Sequence, residues 1–215
     1  MRKNGSVGAT VLWDVDTQVD FVESDGKLYF AGAEEAKPAM ARLVEAARAA
    51  GVVHVASADQ HELTDPEISE QPDHDSTWPP HCLLGTRGAE KIAETKQLDP
   101  LPLPLVPVPC AMLRRMLDGR GEILVPKKQF DPFTNPNTET VLDALDPAEI
   151  VLFGVATDIC DDAAVRALLR RGRRVTFVED AARGVDESRV AACIAAWGEG
   201  GVRISDVEEV IDSLG

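Results

Sequence analysis

Three residues far apart in this 215-residue chain could together run nucleophilic chemistry: Asp16 in D-T-Q-V-D-F, Lys127 in V-P-K-K-Q-F-D-P-F and Cys160 in G-V-A-T-D-I-C. A cysteine attacks as its thiolate. It therefore needs a base to take the proton, a cation near the sulfur and, at best, the positive end of a helix. Asp16, Lys127 and a helix expected to start near Thr157 meet these needs in turn. Taken singly, each has a plainer account: Cys160 as a small buried residue on its helix's apolar stripe, Asp16 as a strand-end cap, Lys127 as an exposed charge. What points to a site is that the three motifs each follow a predicted strand.

A second set of residues has the composition of a metal centre. Asp59 and His61 stand in D-Q-H, Glu67 in D-P-E-I-S and His81 in W-P-P-H-C. In extended backbone, D-x-H sends both side chains to one side, and mixed oxygen and imidazole donors suit zinc, manganese or iron. The plainer account is a polar loop whose histidines cap backbone groups. His54 lies inside a predicted strand and is assigned to packing, and His74 to solvent. Cys82, Cys110, Cys160 and Cys193 form no C-x-x-C pair, so neither a zinc knuckle nor a dithiol redox motif is indicated. Cys82, beside His81, is assigned to packing.

The elements that must position these groups can be read from the hydrophobic pattern. β-branched runs at residues 9–13, 52–56, 122–125, 150–154, 174–178 and 202–205 predict six strands. Between them, Ala36, Met40, Leu43, Val44 and Ala47 follow helical spacing, as do Cys160, Ala163, Ala164, Ala167 and Leu168. Uniformly apolar strands alternating with helices predict an α/β, Rossmann-like, three-layer sandwich around a mainly parallel six-stranded sheet. Ligands should gather at the strands' carboxyl ends. Residues 59–101 show little periodicity, and a stretch of that length is expected to build part of a site. Residues 100–109, P-L-P-L-P-L-V-P-V-P, must be extended or polyproline-like, as a packed connector or as a lid or subunit contact.

Length and composition fit one globular domain over residues 1–215, with 44% apolar and 27% charged residues. The net charge of −15 repels phosphate backbones and anionic membranes, so neither nucleic acid nor membrane is expected as a partner. No apolar run approaches the ~20 residues needed to cross a bilayer, and a cytoplasmic location is expected.

Taken in order, D-T-Q-V-D-F, K-K-Q-F-D-P-F and G-V-A-T-D-I-C resemble the motifs of the isochorismatase-like cysteine hydrolases. D-Q-H followed by W-P-P-H-C-L-L-G-T-R-G-A is similar to the nicotinamidase branch. The resemblance implies that Asp16 is the general base, Lys127 its electrostatic partner and Cys160 the nucleophile. It makes Asp59, His61 and His81 ligands of a divalent ion, zinc first, with iron, manganese or nickel as alternatives. Glu67 stands where some nicotinamidases have another histidine, and direct or water-mediated ligation are both open. The N–H groups of Ala156 and Cys160 would form an oxyanion hole beside a cis peptide joining Val155 to Ala156. Phe21 and Trp78 would flank a flat substrate.

The implied activity is metal-dependent hydrolysis of a small amide, nicotinamide to nicotinate and ammonia, through a thioester. The alternatives are a family hydrolase of another amide, carbamoyl compound or vinyl ether, and a catalytically silent family fold serving as a binding module. Analogy with the family also suggests a homo-oligomer.

Overall fold

A computed structural model describes residues 9–214. Its sheet has seven strands: β1 (Thr10–Val15), β2 (Val53–Asp59), β3 (Leu101–Pro102), β4 (Glu122–Lys127), β5 (Glu149–Val155), β6 (Val175–Arg183) and β7 (Arg203–Ser205). Their spatial order is β3-β4-β2-β1-β5-β6-β7, and every neighbouring pair is parallel. The expectation of six strands is therefore corrected to seven. The additional one, β3, lies in the proline-rich segment, where missing backbone donors mask its strand character. It still pairs, Leu101 with Ile123, and the Leu103 N–H reaches the Leu124 carbonyl at 2.9 Å.

Strand alternation divides the core into two layers. Val11, Trp13 and Val15 face one side, where they meet α3 (Cys110–Leu117), α4 (Thr138–Leu145), α5 (Asp162–Arg170) and α6 (Glu187–Glu199). Leu12 faces the other, against α2 (Lys37–Ala49) and α7 (Val207–Leu214). The five residues that predict α2 are all buried, and each large apolar side chain so removed from water contributes about 1.5–3 kcal/mol. A four-residue helix, α1 (Val19–Val22), follows β1. No helix among the described residues is long and apolar enough to cross a membrane.

One local departure affects the site. The segment after β5 does not enter an α-helix at Thr157 but makes a π-helical turn over Thr157–Asp161, closed by a bond from the Asp161 N–H to the Ala156 carbonyl at 3.1 Å. Cys160 sits in this wider turn, and the α-helix proper begins at Asp162. Such single turns are common where a side chain must be presented at a functional position.

The chain builds outward from β1 to β2 on one side and later crosses to β5 on the other. β1 therefore lies where the strand order reverses, and the crevice at the strands' carboxyl ends opens there.

Candidate active site

Asp16 is the residue after β1 and takes a left-handed backbone (φ 49°), a conformation that costs a non-glycine residue about 1–3 kcal/mol and must be held by its surroundings. Here its N–H reaches the Ser57 carbonyl at 3.3 Å, and its own carbonyl accepts the Gln18 N–H at 2.6 Å. Lys127 ends β4 and is wholly buried, so the account of it as an exposed charge is excluded. Its Nζ lies 2.8 Å from Asp16 Oδ2, 2.5 Å from Asp59 Oδ1 and 3.7 Å from Cys160 Sγ. Ser57 Oγ donates to the other Asp16 oxygen at 2.8 Å. The three residues singled out by sequence thus converge, and Asp59 joins them.

Burial dominates the electrostatics. It pushes the Asp16 carboxyl above its ordinary range, with Lys127 opposing and Asp59 adding to the rise. Burial likewise pushes the Cys160 thiol well up against the pull of Lys127. Lys127 itself is held well above its usual value, because Asp16 and Asp59 outweigh the cost of burying its charge. The sulfur therefore keeps its proton until a base takes it. Asp16 binds a proton more strongly than an ordinary aspartate does.

Asp59 faces two ways. Its Oδ1 meets Lys127, while Oδ2 lies 3.8 Å from His61 Nε2 and 3.9 Å from His81 Nε2. His61 Nε2 is also 3.8 Å from Glu67 Oε1. One potential ligand atom from each of Asp59, His61, Glu67 and His81 falls within 4.8 Å of all the others, and all four residues are buried. Lys127 and the imidazoles hold Asp59 well below the usual carboxylate range despite its burial, whereas burial and the Asp59 charge push Glu67 up to about 7.

Short pairings across the long loop bring these four side chains together. The His61 N–H reaches the Cys82 carbonyl at 3.1 Å and the Trp78 N–H the Glu67 carbonyl at 2.8 Å. His81 Nδ1 lies 2.8 Å from the Pro79 carbonyl, which only accepts, so Nδ1 carries the proton and Nε2 presents its lone pair.

The residues fit a divalent ion. Among the described residues neither buried ring nitrogen of His61 has a hydrogen-bond partner, a costly state that a cation at Nε2 would relieve. Asp65 Oδ2, 3.4 Å from Nδ1, backs the ring. The donor spacings approach the ~3–4 Å expected between ligands sharing a metal of the zinc class.

A narrow cleft opens above the sulfur. Phe21, Phe30, Trp78, Phe130 and Ile159 wall it, and Asp59, Glu67 and His81 also line it. Phe21 and Phe30 stack with centroids 5.2 Å apart. The two aromatic residues expected beside a substrate, Phe21 and Trp78, both line this cleft, as do Ala156 and Cys160. The Val155–Ala156 peptide is cis. His54 packs in β2 and His74 is exposed, as expected. Cys82 is wholly buried and its sulfur reaches only the Gly88 carbonyl, at 3.7 Å.

Several residues of the site escaped sequence reasoning: Ser57 beneath Asp16, Asp65 behind His61, and Phe30 and Phe130 in the wall. Phe130 stands within the lysine motif, three residues beyond Lys127, and that proximity was the available signal. Ser57 and Asp65 carry none that a single sequence reveals.

The family model described as Isochorismatase domain matches residues 108–209. The nicotinamidase/pyrazinamidase of Mycobacterium tuberculosis is 41% identical over 76 residues, 35% of this chain and 40% of that protein, so the chain matches well under half the length of its curated relative. Among solved structures, an isochorismatase-like hydrolase from Alkaliphilus metalliredigens superimposes with a TM-score of 0.77 at 18% identity, covering 97% of this chain and all of the other. A pyrazinamidase of Pyrococcus horikoshii in complex with zinc superimposes with a TM-score of 0.68 at 20% identity, covering 92% of this chain and 98% of that one. Residues 108–209, which carry the lysine and the cysteine of the trio, thus match the isochorismatase domain model, and the described chain as a whole has the fold of the isochorismatase-like hydrolases.

Proposed function

We propose that this protein is a cysteine amidohydrolase of the nicotinamidase type, acting on a small, flat, uncharged amide, with nicotinamide as the leading substrate. The observation that carries the reading is the position of Lys127 Nζ, in contact with the carboxylate of Asp16 and the sulfur of Cys160 in a buried pocket. Asp16 takes the thiol proton, and the thiolate adds to the amide carbonyl. The N–H groups of Ala156 and Cys160 are assigned to the resulting oxyanion, each such donor being worth about 2.7–4 kcal/mol. The C–N bond breaks as Asp16 returns the proton to nitrogen, and ammonia leaves. Water, deprotonated by Asp16, then hydrolyses the thioester to the carboxylic acid and restores the thiol.

A divalent metal held by Asp59, His61, His81 and Glu67 would supply a Lewis-acid contact for a heteroaromatic nitrogen. The chain's own contribution to substrate choice is the cleft wall. Aromatic and aliphatic side chains suit a planar ring, and among the described lining residues there is no arginine to pair a carboxylate-bearing substrate in bidentate fashion. Orientation over the sulfur by such a wall can lower a barrier by several kcal/mol.

The test is ammonia release from nicotinamide, pyrazinamide and an N-carbamoyl amino acid by metal-loaded protein. The two heteroaromatic amides are expected to turn over and the carboxylated compound is not. Cys160→Ala should reduce the rate by ~10⁴-fold or more. Full activity in that variant would reject thiol chemistry, and ammonia only from the carboxylated compound would reject the substrate class.

A further inference from the structure

The motif D-T-Q-V-D-F contributes more than its first aspartate. Gln18 and Asp20 are both buried, and neither reaches the reacting atoms. The Gln18 amide satisfies both backbone groups of Asp59: its Oε1 accepts the Asp59 N–H at 2.7 Å and its Nε2 donates to the Asp59 carbonyl at 2.9 Å. The same Nε2 donates to the Ala89 carbonyl at 2.9 Å. Gln18 thus does at the end of β2 what another strand would do, and ties that end to residue 89.

Asp20 makes the matching tie to the other ligand segment. Its Oδ2 accepts the N–H of Cys82, the residue after His81, at 2.7 Å, while Oδ1 accepts the Lys27 N–H at 3.0 Å. Cys82 adopts a left-handed backbone (φ 44°), so the chain at His81 is held in a shape it would not take freely. Gly88 makes room for this contact, since a Cβ there would stand 2.1 Å from Asp20 Oδ2.

We propose that Gln18 and Asp20 are positioning residues for the metal ligands, fixing Asp59 and His81 relative to each other and to Asp16 from one five-residue segment. Asp16, Gln18 and Asp20 stand at alternate positions of one motif: the first is the proposed base, the second ties down the end of β2 and the third the segment that follows His81. This inference rests on the metal reading of the site given above.

The experiment measures zinc affinity of the metal-stripped protein against a chromogenic chelator, alongside melting of the metal-free form. Asp20→Ala and Gly88→Ala remove the same contact from opposite sides. Each is expected to weaken zinc binding by ~10–100-fold, the range typical for groups that orient metal ligands. Gln18→Met, close in shape but without the amide, should do likewise. Asp20→Asn, which keeps an acceptor for the Cys82 N–H, should recover part of the affinity lost in Asp20→Ala.

A merely structural role would lower the melting temperature of the metal-free protein and leave zinc affinity in the folded fraction within twofold of the parent, and that result would overturn the proposal. If Asp20→Ala does not fold, Gly88→Ala and Gln18→Met decide the matter by the same ratio. A parent protein that binds no zinc would instead reject the metal reading itself, and with it the positioning role.

Discussion

Glu67 is the residue whose environment conflicts most with its ordinary chemistry. A carboxylate buried beside Asp59 takes up a proton at about 7 in the metal-free protein, against an ordinary value of 4.5. Its contribution to stability is fully present below about 4.5 and is lost as pH rises through about 7, because only the folded state holds the proton there. Glu67→Gln should therefore make the metal-free protein more stable at pH 8, by up to ~3 kcal/mol, while weakening zinc binding. Parallel chemical melts and zinc titrations check both halves. A variant that binds zinc as tightly as the parent would remove Glu67 from the ligand set.

Asp161, next to the proposed nucleophile Cys160, poses a related problem without a ligand to resolve it. It is wholly buried, and neither carboxylate oxygen has a hydrogen-bond partner among the described residues. Burial, followed by the charge of Asp16, pushes its carboxyl well above the usual range. The sign is again that of a raised acid: stability is lost as pH climbs from the ordinary aspartate value of 3.8 through the raised one. Asp161→Asn should flatten that slope and be the more stable protein at pH 8, by about 1–3 kcal/mol, read from denaturant midpoints at pH 5 and pH 8. Equal slopes in parent and variant would contradict this account.

Among the elements, the junction of β1 and β5 depends on Gly154. Its φ of 141° lies outside the range of ordinary side chains, and a Cβ would stand 2.1 Å from the Val15 carbonyl oxygen. Gly154→Ala must separate the two strands that deliver Asp16 and Cys160. It should lower stability by about 2–4 kcal/mol and reduce ammonia release together with it, which thermal melts and rate assays would register side by side.

Legibility in the sequence followed from what each element depends on. Helix α2 was readable because five apolar residues repeat at helical spacing and nothing else competes for them. The central strands were readable because burial on both faces leaves uninterrupted β-branched runs. β3 was not, since its pairing depends on a neighbour, β4, and its prolines argue locally against any strand. The pairings inside residues 59–101 were hidden for the same reason: they consist of single bridges, His61 with Leu83 and Ile68 with Trp78, that leave no periodic trace. The convergence of Asp16, Lys127 and Cys160 was legible as order and position. The total burial of Lys127 was not, because a lysine enters a core only when distant carboxylates meet it there.

For the molecule as a whole, metal occupancy should be a stability term, since the four proposed ligands join the end of β2 to a loop that spans more than twenty residues. Zinc at a hundred times its dissociation constant should contribute about 2.7 kcal/mol, raising the melting temperature by about 5–10 °C, and a chelator should reverse the shift. Calorimetry with and without zinc tests this, and an unchanged melting curve would speak against a resident metal.

The borders of the sheet carry a consequence of their own. One outer strand is the two-residue β3, closed by Pro102, and the opposite one, β7, has only three residues. Neither offers a run of free amides long enough to template a foreign strand, and the prolines around β3 withdraw donors that would otherwise point outward. The segment that defeated strand prediction is therefore expected to guard against polymerisation, and replacing its prolines with valines should leave the fold intact while making concentrated solutions prone to fibrils.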